Sequence, residues 1–324
     1  MSSSKHFQIM GACLLDRLKS YPVVPLIVIL WITFSSLSPY FFSMGNIEGM
    51  LVNNTVLLIA AIGMTFVFLV GGIDLSVSTV ISVSAVLAGI VMAKTGDIAL
   101  GAVTALSVGG LFGAINGLLI GAFGLTPFIT TMATQLIARG IAFYLSQGIA
   151  VEGTPLALMD FGFVSVKGIP AITLIGLVIA LAAALVLGLT TWGRQIILLG
   201  SNRSAARYAG LPVQSLEFSA YLLSGLLAGV AGFISIISLG TAIPGVGDTL
   251  LLIIIGAVVL GGTSMNGGEG SITRTLLGVA LLTVLINGLN LLRIPFYDQL
   301  IIQGILIFFG TWLANTFSGK RRDG

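Results

Sequence analysis

Apolar residues fill most of this chain in long uninterrupted stretches, separated by short polar clusters. After a polar leader carrying Lys5, Arg17 and Lys19, the first apolar run extends from Pro22 to Phe42. Further apolar segments lie near 50–70, 76–93, 98–121, 127–147, 169–190, 215–240, 248–263, 273–292 and 297–316. A spanning helix needs about 20 such residues, because each rises about 1.5 Å through a hydrocarbon layer about 30 Å thick. The short two-residue alternation of a barrel strand is missing from these runs. The pattern predicts an all-α, polytopic membrane protein with about ten transmembrane helices. A cleaved signal peptide is the competing reading of the first run. Its charged leader is long for that, and no clean small-x-small site follows it.

Composition narrows the picture. Of 324 residues, 56% are hydrophobic and only 8% are charged. A soluble domain carries about 25% charged residues, and a disordered chain is poor in apolar ones. Both classes are excluded. The net charge of +3, from 14 basic and 11 acidic residues, is too small to suggest nucleic acid. One cysteine, Cys13, and one histidine, His6, leave no multi-His or multi-Cys metal site and no Ser-His-Asp constellation in the apolar body. The phosphate-binding pattern G-x-x-x-x-G-K-[ST] is absent, since Gly319-Lys320 runs on into Arg321. No catalytic residue is predicted, and any ATP must be hydrolysed by another chain.

The charges also orient the spans. With ten spans both termini share a side, which holds Lys5, Arg17, Lys19, Arg194, Arg203, Arg207, Arg274, Lys320, Arg321 and Arg322. The other side holds Lys94, Lys167 and Arg293, and Arg139 falls within a span. Basic residues concentrate on cytoplasmic loops, so both termini are expected in the cytoplasm. Gly109, Gly113, Gly117 and Gly121 recur every four residues, and Gly225, Gly229 and Gly232 nearly do so. Small residues at that spacing let helix backbones approach, which predicts two packing faces.

Few polar groups interrupt the spans. Asp74 follows a Gly pair in Gly71-Gly72-Ile73-Asp74-Leu75-Ser76. It reads either as a helix cap at the membrane edge or as part of a transport path. Thr130, Thr134 and Gln135 crowd the span that holds Arg139, while Asn116, Asn287 and Asn290 are intramembrane amides. Asp74, Asn116, Thr130, Thr134, Gln135 and Asn287 are the path candidates. Interhelical bonding competes with that role for the amides. A charge at bilayer depth costs at least about 2.5 kcal/mol, so Arg139 is expected to pair with a carbonyl or carboxylate, and a water-lined face on the transport path is the competing reading. In residues 191–214, Ser201 or Asn202 can cap a short helix through Ala205, Ala206, Arg207 and Tyr208. Gly210 can end it and Pro212 prevents its continuation. A short capped helix between two spans suits docking to a partner.

Four stretches in this order carry a resemblance. They are Gly71-Gly72-Ile73-Asp74-Leu75-Ser76; Asn116-Gly117 with Pro127-Phe128-Ile129-Thr130-Thr131; Gly193-Arg194 with Gly200, Asn202, Ala205-Ala206-Arg207 and Gly210; and Gly261-Gly262-Thr263-Ser264 with Asn287-Gly288-Leu289. From about Asn46 to Thr311 the chain resembles the permease subunit of bacterial ATP-binding-cassette importers of the ribose/arabinose/galactose type. The resemblance implies a single transmembrane permease domain over 22–317, with cytoplasmic segments at 1–21 and 318–324. It implies a bacterial inner-membrane location and no cofactor on this chain, with ATP held by a partner ATPase. The implied partners are that cytoplasmic ATP-binding subunit, a periplasmic sugar-binding protein and a second permease copy or paralogue. It also implies that residues 191–212 form the coupling element, through Gly193, Arg194, Gly200, Asn202, Ala205, Ala206, Arg207 and Gly210. The expected solute is a monosaccharide or similar small polar molecule. An ion-coupled secondary transporter is the alternative, but it needs intramembrane carboxylates, and only Asp74 offers one. An intramembrane enzyme needs a nucleophile with its base, and the single histidine lies outside the spans.

Overall fold

All ten apolar segments become helices, and seven of these helices are long and apolar enough to cross a membrane. The structure, a computed structural model, describes residues 23–319. The basic residues at 5, 17, 19 and 320–322, with His6 and Cys13, lie outside the described residues. The chain runs α1 (Val23–Leu37), α2 (Met44–Leu69), α3 (Val77–Thr95), α4 (Ile98–Gly117), a π-helical turn (Leu118–Ala122) and α5 (Pro127–Ser146). There follow α6 (Leu156–Gly162), a small hairpin of β1 (Ser165–Val166) and β2 (Ile169–Pro170), and α7 (Ala171–Leu189). The remainder is α8 (Thr191–Ser201), α9 (Arg203–Tyr208), α10 (Val213–Leu239), α11 (Leu250–Leu260), α12 (Ile272–Leu291) and α13 (Phe296–Gly319). Local signals set many of these limits. Asp97 accepts the N–H groups of Ala99 and Leu100 at 2.8 and 3.1 Å, and Ser271 accepts that of Arg274 at 3.2 Å.

From Thr55 to Leu69 helix α2 is apolar on every side and occupies the centre, with every residue of that stretch buried. The two glycine stripes meet each other. A Cβ at Gly113 would lie 2.6 Å from the Tyr221 carbonyl, and one at Gly117 2.7 Å from that of Phe218. Gly109 faces Gly225 and Gly229 in the same seam between α4 and α10. Gly232 turns instead to α3, beside the Ile81 carbonyl. No larger residue fits these places without parting the helices.

Contacts separate two ends of the bundle. At one end the Gly268 N–H bonds the Leu69 carbonyl at 3.0 Å, and Gly200 packs on the same carbonyl. Arg194, Arg203, Arg207 and Arg274 belong to this basic end. At the opposite end Val151 pairs with Ala242, and Gly153 packs on Ala93. Two crossings are irregular. Residues 70–76 turn back into the bundle before α3 starts, so that Ser76 meets Asn116 of α4. Residues 240–249 descend along α3 from Gly89, beside Ala242, to Ser82, which accepts the Gly247 N–H at 3.0 Å. The segment expected as a span at 248–263 is therefore only the half-length helix α11, and non-helical backbone forms the rest of that crossing. Irregular backbone survives at membrane depth only when protein buries it or when it lines water.

Candidate functional site

At the basic end, residues 191–210 fold into two short helices joined at Asn202. Thr190 caps α8 through the Gly193 N–H at 3.1 Å. Asn202 ends α8 and its side chain accepts the Ala205 N–H at 2.9 Å, starting α9. Ser201, the other proposed cap, instead bonds back to the Ile197 carbonyl. Gly210 has φ +78° and donates to the Arg207 carbonyl, while Leu211 donates to that of Ala206. Those two bonds, each 3.1 Å, are the paired closure of a Schellman motif. Of the two N-caps the local sequence offered, Asn202 is the one used, and Gly210 ends the helix as expected.

What fastens this projection to the bundle was not legible locally. Arg203 pairs with Glu217 of α10 at 2.9 Å, and the carboxylate is largely buried while the guanidinium is half exposed. Ala206 is buried with Leu199, Val213 and Leu216. It anchors the projection and does not lie on its outer face, so it is Arg207 and Tyr208 that are offered outward. Gly200 sits where a Cβ would come within 2.5 Å of the Gly268 nitrogen. Gly193 packs as tightly on the Leu187 carbonyl, and Arg194 and Ala205 are exposed. Behind the projection lies a cavity of about 260 Å³ bounded by Gly71, Leu125, Arg203, Glu217, Tyr221 and Asn266.

Deeper in, four of the path candidates form one satisfied network. Asp74 accepts from the Ser76 N–H at 3.0 Å, the Ser76 hydroxyl at 2.6 Å and the Ser224 hydroxyl at 2.8 Å. Asn116 donates to the Ser76 hydroxyl at 2.9 Å and accepts from Thr134 at 2.8 Å. Thr130 closes its helix by donating to the Thr126 carbonyl, and its own carbonyl accepts from Thr134. All four are buried within the chain, and they tie the start of α3 to α4, α5 and α10. This is the geometry of a cap and an interhelical clamp. Asn287 is elsewhere, in a reciprocal amide pair with Asn46 at 2.8 and 3.1 Å that joins α12 to α2. Gln135 is half-buried on α5, one turn before Arg139. Arg139 is paired, as its depth requires, with Asp248 at 2.9 Å. Asp248, Glu217, Ser224 and Tyr221 were not singled out from sequence, since each acts through a partner far away in the chain.

These groups supply hydrogen bonds and rigid attachment, with no nucleophile set against a base. The family model described as "Branched-chain amino acid transport system / permease component" matches residues 46–310. The chain is 35% identical over 305 residues to the D-allose transport system permease protein of Escherichia coli (strain K12), covering 94% of this chain and 93% of that one. It is 35% identical over 297 residues to the ribose import permease protein of the same strain, covering 90% and 92%. It is 34% identical over 304 residues to the L-arabinose ABC transporter permease protein of Azospirillum brasilense, covering 93% and 88%. No solved structure matches the chain.

Proposed function

The chain belongs to the branched-chain amino acid transport system / permease component family, and on that premise we propose that it carries a small sugar inward across the bacterial inner membrane. It is a multi-pass transport subunit and not an enzyme. The family description names amino acids, but the relatives with matching length are named for ribose, allose and arabinose, which favours a monosaccharide. In this reading one transmembrane domain over 22–317 pairs with a second permease copy. A cytoplasmic subunit binds and hydrolyses ATP, a periplasmic binding protein delivers the sugar, and both termini face the cytoplasm. The described loops carry Arg194, Arg203, Arg207 and Arg274 at one end against Lys94, Lys167 and Arg293 at the other, so the orientation draws its main support from the basic residues of the two terminal segments.

The single observation that carries the mechanism is the capped projection at residues 191–210. Its outward face presents Arg207 and Tyr208, the latter 92% exposed. Its inner side is fastened at three points, to α10 by Arg203–Glu217, to the core by Ala206 and to the end of α2 by Gly200. A partner that moves this projection therefore moves α10 and the central helix with it. That is what coupling of ATP hydrolysis to alternating access requires.

The test is Arg207→Glu, alone and with Tyr208→Asp, in the assembled importer. Both variants are expected to insert and fold as wild type does. Truncating a docked charge commonly costs about 2–5 kcal/mol, so the ATPase subunit is expected to bind more than about tenfold more weakly. Co-purification and sugar-stimulated ATP hydrolysis are the measurements. Normal recovery and normal stimulation in both variants remove residues 191–212 from the coupling role.

A further inference from the structure

The ion pair Arg139–Asp248 stands apart from the buried network and has a different environment. Arg139 is twelve residues past the start of α5, about 18 Å along a helix rising about 1.5 Å per residue. Asp248 follows Gly247, whose N–H is bonded to Ser82, thirteen residues short of the end of α3. The guanidinium is thus directed inward to meet a carboxylate at bilayer depth and does not reach outward to the interface. Yet 54% of the Arg139 side chain and 24% of the Asp248 side chain remain exposed on the chain's surface.

Protein or water, and not hydrocarbon, lies beside the pair for two reasons. Charged side chains at this depth face protein or water, because hydrocarbon exposure costs at least about 2.5 kcal/mol. The carboxylate sits on the non-helical stretch 240–249, which tolerates membrane depth only against protein or a water-filled passage.

We propose that Arg139 and Asp248 face the solute passage and act as a polar latch between α5 and the non-helical stretch 240–249. The planar guanidinium donates and the carboxylate accepts, so together they exchange bonds to each other for bonds to adjacent hydroxyls of a passing sugar. Stretch 240–249 is also held by the Val151–Ala242 pairing, by Thr241 donating to the Val151 carbonyl and by Ser82–Gly247, and Gly245 packs near Phe143 of α5, so the ion pair adds a polar tie to a helix the stretch already touches. Opening it separates α5 from the broken crossing without disturbing the network around Asp74. This inference rests on the sugar-permease reading.

The experiment uses the complete importer in proteoliposomes, with Cys13→Ser as background. An Asp248→Cys variant is expected to react with a membrane-impermeant thiol reagent, and bound sugar is expected to slow that reaction. Arg139→Gln and Asp248→Asn are expected to keep assembly while ribose flux falls by about tenfold or more. The charge-swapped pair Arg139→Asp with Asp248→Arg is expected to restore folded yield but neither the flux nor the wild-type ratio of pentose to hexose transport. An unreactive Asp248→Cys variant, or full recovery of flux by the swap, overturns the proposal and leaves a structural ion pair. Wild-type vesicles that move no sugar overturn the importer reading itself, which separates the two failures.

Discussion

Asn116 has both ends of its amide committed, one to the Ser76 hydroxyl and one to Thr134. Removing it breaks both of these buried interhelical hydrogen bonds, although Ser76 still donates to Asp74 and Thr134 to the Thr130 carbonyl. Asn116→Leu is therefore expected to destabilise the folded protein by about 1–3 kcal/mol, read as a lower unfolding midpoint in detergent. Thr134→Ser keeps the hydroxyl and is expected to stay close to wild type. Arg203 illustrates the same logic at the basic end. Arg203→Ala leaves the Glu217 carboxylate buried and unpaired, so stability is expected to fall by about 1–3 kcal/mol. Arg203→Lys recovers only part, because an ammonium replaces one fork of a planar donor. Midpoints of the three chains decide it. Of the residues proposed from sequence, the caps were readable because a cap and its target lie within three residues. The anchors were not, because Glu217 and Ser224 gain their meaning only from what packs against them.

At the scale of elements, the seam between α4 and α10 is the tightest test of the fold. Gly113→Leu places side-chain atoms where the Tyr221 carbonyl and Gly225 backbone already lie. Overpacking of this kind costs about 1–3 kcal/mol or more, and a loss of monodisperse protein on size exclusion is expected. The control is Gly140→Ala on α5, where no neighbour lies within 4 Å. That change removes a helix-interior glycine and is expected to be neutral, or to stabilise by up to about 1 kcal/mol. The seam was legible as two stripes of small residues, and the structure sets those stripes face to face. The broken crossing was not legible. Hydropathy registers 248–263 as one apolar stretch, but it cannot register that the chain ahead of Leu250 bonds sideways to α3 in place of continuing a helix.

For the whole molecule, the prediction is one of sides. Phe163, 89% exposed beside the small hairpin, and Tyr208, 92% exposed on α9, lie at opposite ends of the bundle. On a Cys13→Ser background, Phe163→Cys is expected to react with impermeant reagent from the periplasmic face and Tyr208→Cys only from the cytoplasmic face. Reaction of both from one face refutes the orientation. The ends themselves are held by contacts between distant segments, such as Gly268 with Leu69 and Val151 with Ala242.

The amino-acid sequence alone determined the class of the molecule, the positions of its long apolar helices, the caps of α9 and the end of the bundle that carries more arginine. All of these follow from forces that act locally: transfer of apolar side chains from water, backbone capping within one turn, and charge kept out of hydrocarbon. Only the tertiary structure decided which polar groups meet. Asp74 reaches Ser224 across 150 positions, and Asn46 reaches Asn287 across 241. Arg139 finds its carboxylate on a stretch that hydropathy assigned to a span's edge. Partners so far apart are brought together by the packing of whole helices, and that packing is a property of all the interfaces at once.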